Sequence, residues 1–142
     1  MTRSLVLDAE ALSVLARPHD DRGAEVRASL EAARRTDRQV LVPAVILAEL
    51  YRGPGHNQVV DACLSRESAI LVRDTDRSLA RLVGGVLAAA GAGSEDLADA
   101  HVVAAAVETG GGVVLTVDVS DVQRLAASYS NITVVAVDRS TS

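Results

Sequence analysis

The sequence predicts an α/β domain built on a parallel sheet of about five strands, with helices on both faces of the sheet. Five short segments rich in Val, Leu and Ile alternate with longer segments of helical periodicity. The short segments are almost continuously apolar, as in strands that helices cover on both faces. The chain has 142 residues, 49% of them hydrophobic and 1% aromatic, so we expect one domain with an aliphatic core.

In the first half of the chain, three predicted strands alternate with four predicted helices. Each strand is a short apolar run, and the first ends at Asp8. Pro43 stops the second run and suits the first position of the helix that follows. Turn-forming residues at 17–21 and 53–55 separate neighbouring elements. The predicted strands are 4–7, 39–42 and 69–72, and the predicted helices are 9–16, 22–35, 44–51 and about 58–64.

The second half predicts three more helices and two more strands. Glycines at 91 and 93 stop the longest helical pattern, and Ser94 is a suitable N-cap for the next helix. The predicted helices are 76–90, 95–108 and 119–127, and the predicted strands are 113–116 and 132–136. We therefore expect one domain over residues 1–137 and a polar tail over 138–142. Right-handed crossovers between parallel strands place the chemistry of such a sheet at the carboxyl ends of its strands.

Composition excludes several classes of function. Cys63 is the single cysteine, so an intrachain disulfide and a thiolate zinc site are excluded. All 14 basic residues are arginine, which excludes a Schiff base or a lysine phosphate clamp. The net charge of −5 argues against broad nucleic-acid binding, although an acidic metal site accounts for part of it. No signal peptide or membrane-spanning stretch is visible, so we expect a cytoplasmic protein.

Four acids stand out by their position. Asp8 and Asp118 follow apolar strands, where capping of the next helix is the simpler explanation for each. Glu49 is the only charged residue between positions 43 and 51, on a segment apolar nearly all round, which predicts a buried carboxylate. A buried ion pair with Arg52 is the alternative for it. Asp99 shares a helix face with buried valines and lies too far into the predicted helix to interact with its dipole.

Capping explains single acids but not the whole set, because the predicted fold brings all four to one edge of the sheet. Two carboxylates about 4 Å apart repel by about 4 kcal/mol at an effective dielectric of about 20. Four together require protonation or a bound cation. Oxygen ligands select Mg²⁺ or Mn²⁺, whose usual chemistry is water activation and in-line attack on a phosphodiester.

These residues lie in segments that resemble the PIN-domain family, and specifically its VapC-type toxins of bacterial toxin–antitoxin pairs. The segments occur in the family's order and cover nearly the whole chain. His101 and Val122 depart from the family's usual residues, and we interpret both as packing changes. The similar segments are LVLD at 5–8 with Ser13, PAVILAELYRG at 43–53, LADAHVVAA at 97–105 and LTVDVSD at 115–121.

The resemblance implies a Mg²⁺-dependent endoribonuclease, with Mn²⁺ as a possible substitute, that binds one or two ions. It implies RNA as substrate, a VapB-like antitoxin partner, and a homodimer or a toxin–antitoxin hetero-oligomer. Asp8, Glu49, Asp99 and Asp118 are then the catalytic and metal-binding acids. Asp96, Asp121 and Thr116 are candidate supporting residues, and Arg52 is the candidate RNA contact.

Other functions fit less well. A haloacid-dehalogenase-type phosphatase needs a second aspartate two residues after Asp8, where this chain has Glu10, and a receiver domain needs a lysine. The open alternative is a non-catalytic PIN-like module that binds RNA or protein. An antitoxin helix could dock on Leu79, Leu82, Val83 and Val86 of the helix at 76–90, although the same residues would serve equally well as core.

Overall fold

The structure, a computed structural model, describes residues 3–17 and 20–137. Over these residues, five strands alternate with seven helices, as the sequence predicts. The predicted polar tail at 138–142 and part of the predicted turn at 17–21 lie outside the described residues. The strands are β1 (Ser4–Leu7), β2 (Gln39–Pro43), β3 (Ile70–Arg73), β4 (Gly112–Thr116) and β5 (Ile132–Ala136). The helices are α1 (Ala9–Ala16), α2 (Arg22–Arg35), α3 (Ala44–Leu50), α4 (Pro54–Arg66), α5 (Arg77–Ala90), α6 (Leu97–Glu108) and α7 (Val119–Ala126).

All strand pairs are parallel, and the sheet order is β3-β2-β1-β4-β5. From β1 the chain first moves outward through β2 to β3, then crosses back to β4 beside β1. This reversal makes the carboxyl ends of β1 and β4 the topological switch point, where open α/β sheets form their ligand crevice. Leu7 lies beside Leu115 at the ends of these two strands. Asp8 and Thr116 therefore leave the sheet next to each other.

The helices form two groups. Helix α1 packs against α2, α3 and α4, whereas α5, α6 and α7 pack against one another. Because the crossovers run in opposite directions on the two sides of β1, right-handed connections place the groups on opposite faces of the sheet. Every side chain of β1 is buried between them, which is why the strand is almost continuously apolar. The aliphatic core that the composition predicts is present.

Helix α4 begins earlier than its sequence pattern predicts. The predicted break at residues 53–55 contains its first turn, because Pro54 occupies the first helical position, where its missing N–H costs nothing. Gly53 precedes it with φ of 110°, a conformation that residues with a Cβ rarely adopt. The glycine therefore marks the end of one helix and the start of the next.

Helix α6 begins later than predicted. A 3₁₀ turn, Ser94–Asp96, takes the place of the predicted first helical turn, and Ser94 does not cap α6. Asp99 consequently lies in the first turn of α6, where the helix dipole favours an acid. The prediction that Asp99 lies too far into the helix for this effect was wrong.

The predicted docking face on α5 is part of the core. Leu79, Val83 and Val86 are buried, and Leu82 is half-buried. Amphipathic spacing alone does not distinguish a core face from a docking face, and here the face packs against α6 and α7. Among the described residues, no helix is long and apolar enough to span a membrane.

Candidate active site

A cavity of about 270 Å³ opens at the switch point between β1 and β4. The four acids singled out in the sequence all line it, although they come from four separate segments of the chain. Its other lining residues include two more acids and no arginine or histidine. The six acids are Asp8, Glu10, Glu49, Glu95, Asp99 and Asp118.

Asp8 is the most buried of these acids, with 5% of its surface exposed. It is the N-cap of α1, and its Oδ1 accepts the amide N–H of Ala11 at 2.9 Å, so the capping role considered for it is real. Burial raises the pKa of Asp8; hydrogen bonds from Thr116 and Ala11 oppose this shift, and the nearby charge of Asp118 adds to it. Capping and membership of the acid cluster therefore coexist in one side chain.

Thr116 connects the ends of β1 and β4. Its side chain is fully buried and hydrogen-bonds to the Asp8 carboxylate. The same hydroxyl oxygen accepts the amide N–H of Asp118 at 2.9 Å. A hydroxyl can donate one hydrogen bond while it accepts another, so a single side chain orients both strand ends. This arrangement gives the predicted supporting residue a structural role.

The pKa of Asp99 is raised in part by the charges of the other acids. Asp99 lies half-buried in α6, and its pKa is raised to about 6. Burial is the largest cause, followed by the charges of Asp118, Asp8, Glu49 and Asp121 in that order. The three other predicted acids thus act on one carboxyl group, as expected for a cluster of like charges.

Glu49 lines the cavity but is exposed, so the prediction of a buried carboxylate was wrong. Its helix is short, and Glu49 lies in the last turn, where the chain reaches the surface. The alternative ion pair with Arg52 is not formed either. The Nη1 of Arg52 instead donates to the carbonyl oxygens of Ala48 and Tyr51, at 2.7 and 2.8 Å.

Asp118 and Asp121 are both exposed at the start of α7. Asp118 occupies the N-cap position, but its side chain makes no capping hydrogen bond, unlike that of Asp8. Asp121, a candidate supporting acid, does not line the cavity but raises the pKa of Asp99 through its charge. Capping therefore does not account for Asp118.

Arginines pair with two of the acids in or near the cavity, Glu10 and Asp96. Glu10 lies 3.3 Å from Arg22 and 3.7 Å from Arg17. Asp96, the other candidate supporting acid, lies 3.0 Å from Arg124 and does not line the cavity.

Among the salt bridges of residues 3–17 and 20–137, none involves Asp8, Glu49 or Asp99. The negative charge of these three acids is therefore not compensated by an arginine of the described chain. A cluster of this kind attracts cations.

Glu10 and Glu95 were not predicted as cavity residues. Each lies in a first helical turn or next to one, where the favourable helix dipole explains an acid without any function. Their spacing did contain a signal, because Glu10 follows Asp8 by two residues and Glu95 precedes Asp99 by four. Each glutamate therefore lies near an acid that the sequence predicted for the site: Glu10 near Asp8 at the end of a strand, and Glu95 near Asp99 in a helix.

The cavity suits a hard divalent cation by the chemistry of its donors, which are all carboxylate oxygens. As placed, no group of three His, Cys, Asp or Glu side chains within the described ranges is close enough to hold one ion. Carboxylates repel one another, so they are expected to stand apart when no cation lies between them. The four acids that the sequence predicted come from neighbouring elements. His101 does not contribute; it is buried and its Nδ1 donates to the Leu97 carbonyl at 2.8 Å, in keeping with a packing role.

No protein-family model matches the sequence, and no curated protein matches it. Solved structures do resemble it. A chain in the crystal structure of VapBC2 from Rickettsia felis, bound to a DNA fragment from its promoter, has a TM-score of 0.65 and 19% identity over 94% of this chain and 98% of that chain.

A chain in DNA-bound VapBC from Salmonella typhimurium has a TM-score of 0.64 and 18% identity, over 97% of this chain and 100% of that one. A chain in FitAB bound to the IR36 DNA fragment has a TM-score of 0.59 and 19% identity, over 93% and 94%. These chains from VapBC and FitAB structures share the fold over nearly the whole chain, which confirms the predicted resemblance at the level of the fold.

Proposed function

We propose that the protein is a VapC-type PIN-domain endoribonuclease that hydrolyses RNA phosphodiesters with Mg²⁺, or with Mn²⁺ in its place. One observation carries this proposal: the four acids from separate segments line one cavity, where burial first, and then the charges of the other three acids, raise the pKa of Asp99 to about 6. Folding alone does not require such a cluster, since like charges in one cavity cost stability.

Within this proposal, Asp8 and Asp99 are direct ligands of the metal ion, and Glu49 and Asp118 complete the site. When bound, the ion supplies charge neutralisation at the phosphate and acidifies the attacking water. The chain itself fixes the ligands. Thr116 holds the carboxylate of Asp8 towards the end of β4, and its bond to the Asp118 amide fixes the start of the following turn.

Some of the acids also act on the water molecule that attacks the phosphodiester. Within this proposal, Glu49 and Asp118, which complete the site, orient the attacking water. The salt bridges of Glu10 with Arg17 and Arg22 keep the cavity wall at the start of α1 in place. Among the described residues that line the cavity, none is an arginine or a histidine.

The proposal extends to partners. The structurally similar chains come from VapBC and FitAB assemblies, so we expect an antitoxin partner and either a homodimer or a toxin–antitoxin hetero-oligomer. The DNA belongs to those assemblies, and we assign RNA as the substrate of this chain. The proposed place of action is the cytoplasm.

The test is cleavage of several RNA types by purified protein with Mg²⁺, Mn²⁺ or excess EDTA. Asp8→Asn and Asp99→Asn should each reduce cleavage by about 10²-fold or more. Asp74→Asn, at an exposed aspartate before α5, is the matched control and should leave cleavage unchanged. Undiminished cleavage in EDTA would contradict the metal mechanism. Absence of cleavage under all conditions would favour the non-catalytic binding module.

A further inference from the structure

A second groove, of about 460 Å³, lies beside the carboxylate cavity. It runs between the end of α1, the end of α3 and the first turns of α4, and Glu49 lines both spaces. We call it the α4 groove and define it by Leu50, Arg52, His56 and Val59. The two spaces are therefore neighbours that share one lining residue.

Arg52 is held in a fixed orientation in this groove. Its Nη1 donates to the carbonyl oxygens of Ala48 and Tyr51, so that nitrogen has no further hydrogen to donate. Within the described ranges, Nε and Nη2 of Arg52 make no hydrogen bond that competes with a ligand. These two nitrogens form one edge of the guanidinium, and such an edge binds two phosphate oxygens at once.

Arg17, the other arginine in the groove, is already engaged by protein groups. Its Nη1 donates to Asp20 at 3.2 Å, and its Nη2 donates to Ser13 at 2.7 Å and lies 3.7 Å from Glu10. Arg17 therefore holds the wall of the groove together. Arg52 is the better placed of the two to bind an anion.

Part of the remaining lining of the groove is apolar, although Ser13, Glu49 and His56 also line it. Val59 is 46% exposed, and half-buried Leu50 lines the same groove. Exposed His56 lies between Arg52 and Val59 in the sequence and lines the same groove. An apolar surface next to an oriented arginine matches a nucleotide, whose base is flat and apolar on its faces and whose phosphate is an anion.

We propose that the α4 groove binds the nucleotide adjacent to the scissile phosphodiester of a single-stranded RNA. Arg52 binds the phosphate of this nucleotide, and Val59 and Leu50 contact its base. This inference rests on the proposed function, because Glu49 lines both the groove and the carboxylate cavity whose acids are assigned to RNA cleavage. The oriented, uncompensated edge of Arg52 favours this polyanion over an apolar partner helix.

The test measures binding of a labelled single-stranded oligoribonucleotide to the Asp99→Asn protein over a range of salt concentrations. Each phosphate contact contributes about 0.7 to the slope of log K against log salt for a single strand. Arg52→Gln should therefore lower the slope by about 0.7 and weaken binding about tenfold at low salt. Arg66→Gln, at an exposed arginine at the other end of α4, is the matched control and should leave the slope unchanged.

Two more variants distinguish the loss of a specific contact from a general loss of folding. Arg52→Lys keeps the charge and should retain the slope while losing part of the affinity. Val59→Ser should weaken binding severalfold at all salt concentrations without changing the slope. Melting temperatures of all variants identify any that fail to fold.

An unchanged slope for folded Arg52→Gln overturns the inference. So does a variant that binds RNA normally but no longer co-purifies with a partner protein, since the groove would then belong to the partner. If the slope depends on Arg52 but the unsubstituted protein cleaves no RNA, the phosphate contact stands and the proposed catalysis fails. The two failures are thereby distinguishable.

Discussion

The buried hydroxyl of Thr116 hydrogen-bonds to the carboxylate of Asp8, and so joins the carboxyl ends of the two central strands. The register of the sheet explains this contact, because Leu7 and Leu115, the preceding residues, are partners in adjacent strands. The bond also opposes the effect of burial on the pKa of Asp8. A side chain outside the set of acids thus partly offsets the rise that burial causes in the pKa of the most buried acid.

Thr116→Val should disturb this arrangement without leaving a cavity, since the two side chains have nearly the same shape. The variant loses the bond to Asp8 and the acceptor for the Asp118 amide, and we expect a loss of about 1–2 kcal/mol in the free energy of unfolding. Cleavage should fall about tenfold, with its pH profile shifted upwards because the pKa of Asp8 rises. Thr116→Ser should restore both, whereas equal losses in Ser and Val variants would indicate a packing role.

Much of this site could be predicted from the sequence because its main acids are fixed by strand ends. Asp8 and Asp118 follow strongly apolar runs, and parallel strands necessarily bring their carboxyl ends to one edge. Asp99 was predicted from the apolar helix face that it shares with buried valines. Its position in the helix was nevertheless mistaken, because the 3₁₀ turn at Ser94–Asp96 competes with an α-helical turn of almost the same length.

What could not be predicted depends on contacts between distant segments. The ion pair of Arg124 with Asp96 joins residues 28 apart in the sequence, and no local pattern indicates it. The exposure of Glu49 depends on where α3 ends against the sheet, not on the apolar residues around it in the sequence. Hydrophobic periodicity predicts elements and their buried faces, whereas the surroundings of each charge are set by packing.

Glu10→Gln tests the extra acid of the cavity wall. Removing one negative charge should weaken Mg²⁺ attraction, and we expect the half-saturating Mg²⁺ concentration for cleavage to rise about threefold with little change in kcat. The effect is small because Arg22 and Arg17 already neutralise this carboxylate. Glu25→Gln on the exposed face of α2 is the control. Complete loss of cleavage in Glu10→Gln would instead make Glu10 a principal ligand.

The metal-free protein should lose stability as the pH rises from about 4 to about 7. The pKa of Asp99 is about 6 in the folded protein, against an ordinary value of 3.8, so the folded state binds this proton more tightly than the unfolded state. The resulting stabilisation is complete below pH 3.8 and is lost as the pH rises through 6. Because Asp99 is partly exposed, we expect a loss of about 1–2 kcal/mol.

Urea unfolding in EDTA at several pH values measures this loss. Asp99→Asn carries no titrating group at this position, so its stability should change less between pH 4 and pH 7. Asp74→Asn should behave like the unsubstituted protein. A profile that is equally steep in Asp99→Asn would place the responsible proton elsewhere, with buried Asp8, whose pKa is also raised, as the next residue to substitute.

The last prediction separates catalysis from folding at the same residue. At pH 7 the metal-free protein carries the mutual repulsion of its clustered carboxylates, so Asp99→Asn should raise the free energy of unfolding by about 1 kcal/mol while abolishing cleavage. Mg²⁺ should reverse the order of stability. At about 100 times its Kd it adds about 2.7 kcal/mol to the protein with all four acids, and much less to the variant.

Thermal melts of both proteins, in EDTA and in Mg²⁺, test this reversal, with Asp74→Asn as the control that should follow the unsubstituted protein. An Asp99 held by a structural ion pair would behave in the opposite way, since neutralising it would leave a buried partner uncompensated. No arginine within the described ranges pairs with Asp99, so the repulsion of Asp118, Asp8 and Glu49 is the dominant charge effect on it. A clearly lower melting temperature for metal-free Asp99→Asn would therefore contradict the assignment of these acids to a metal site.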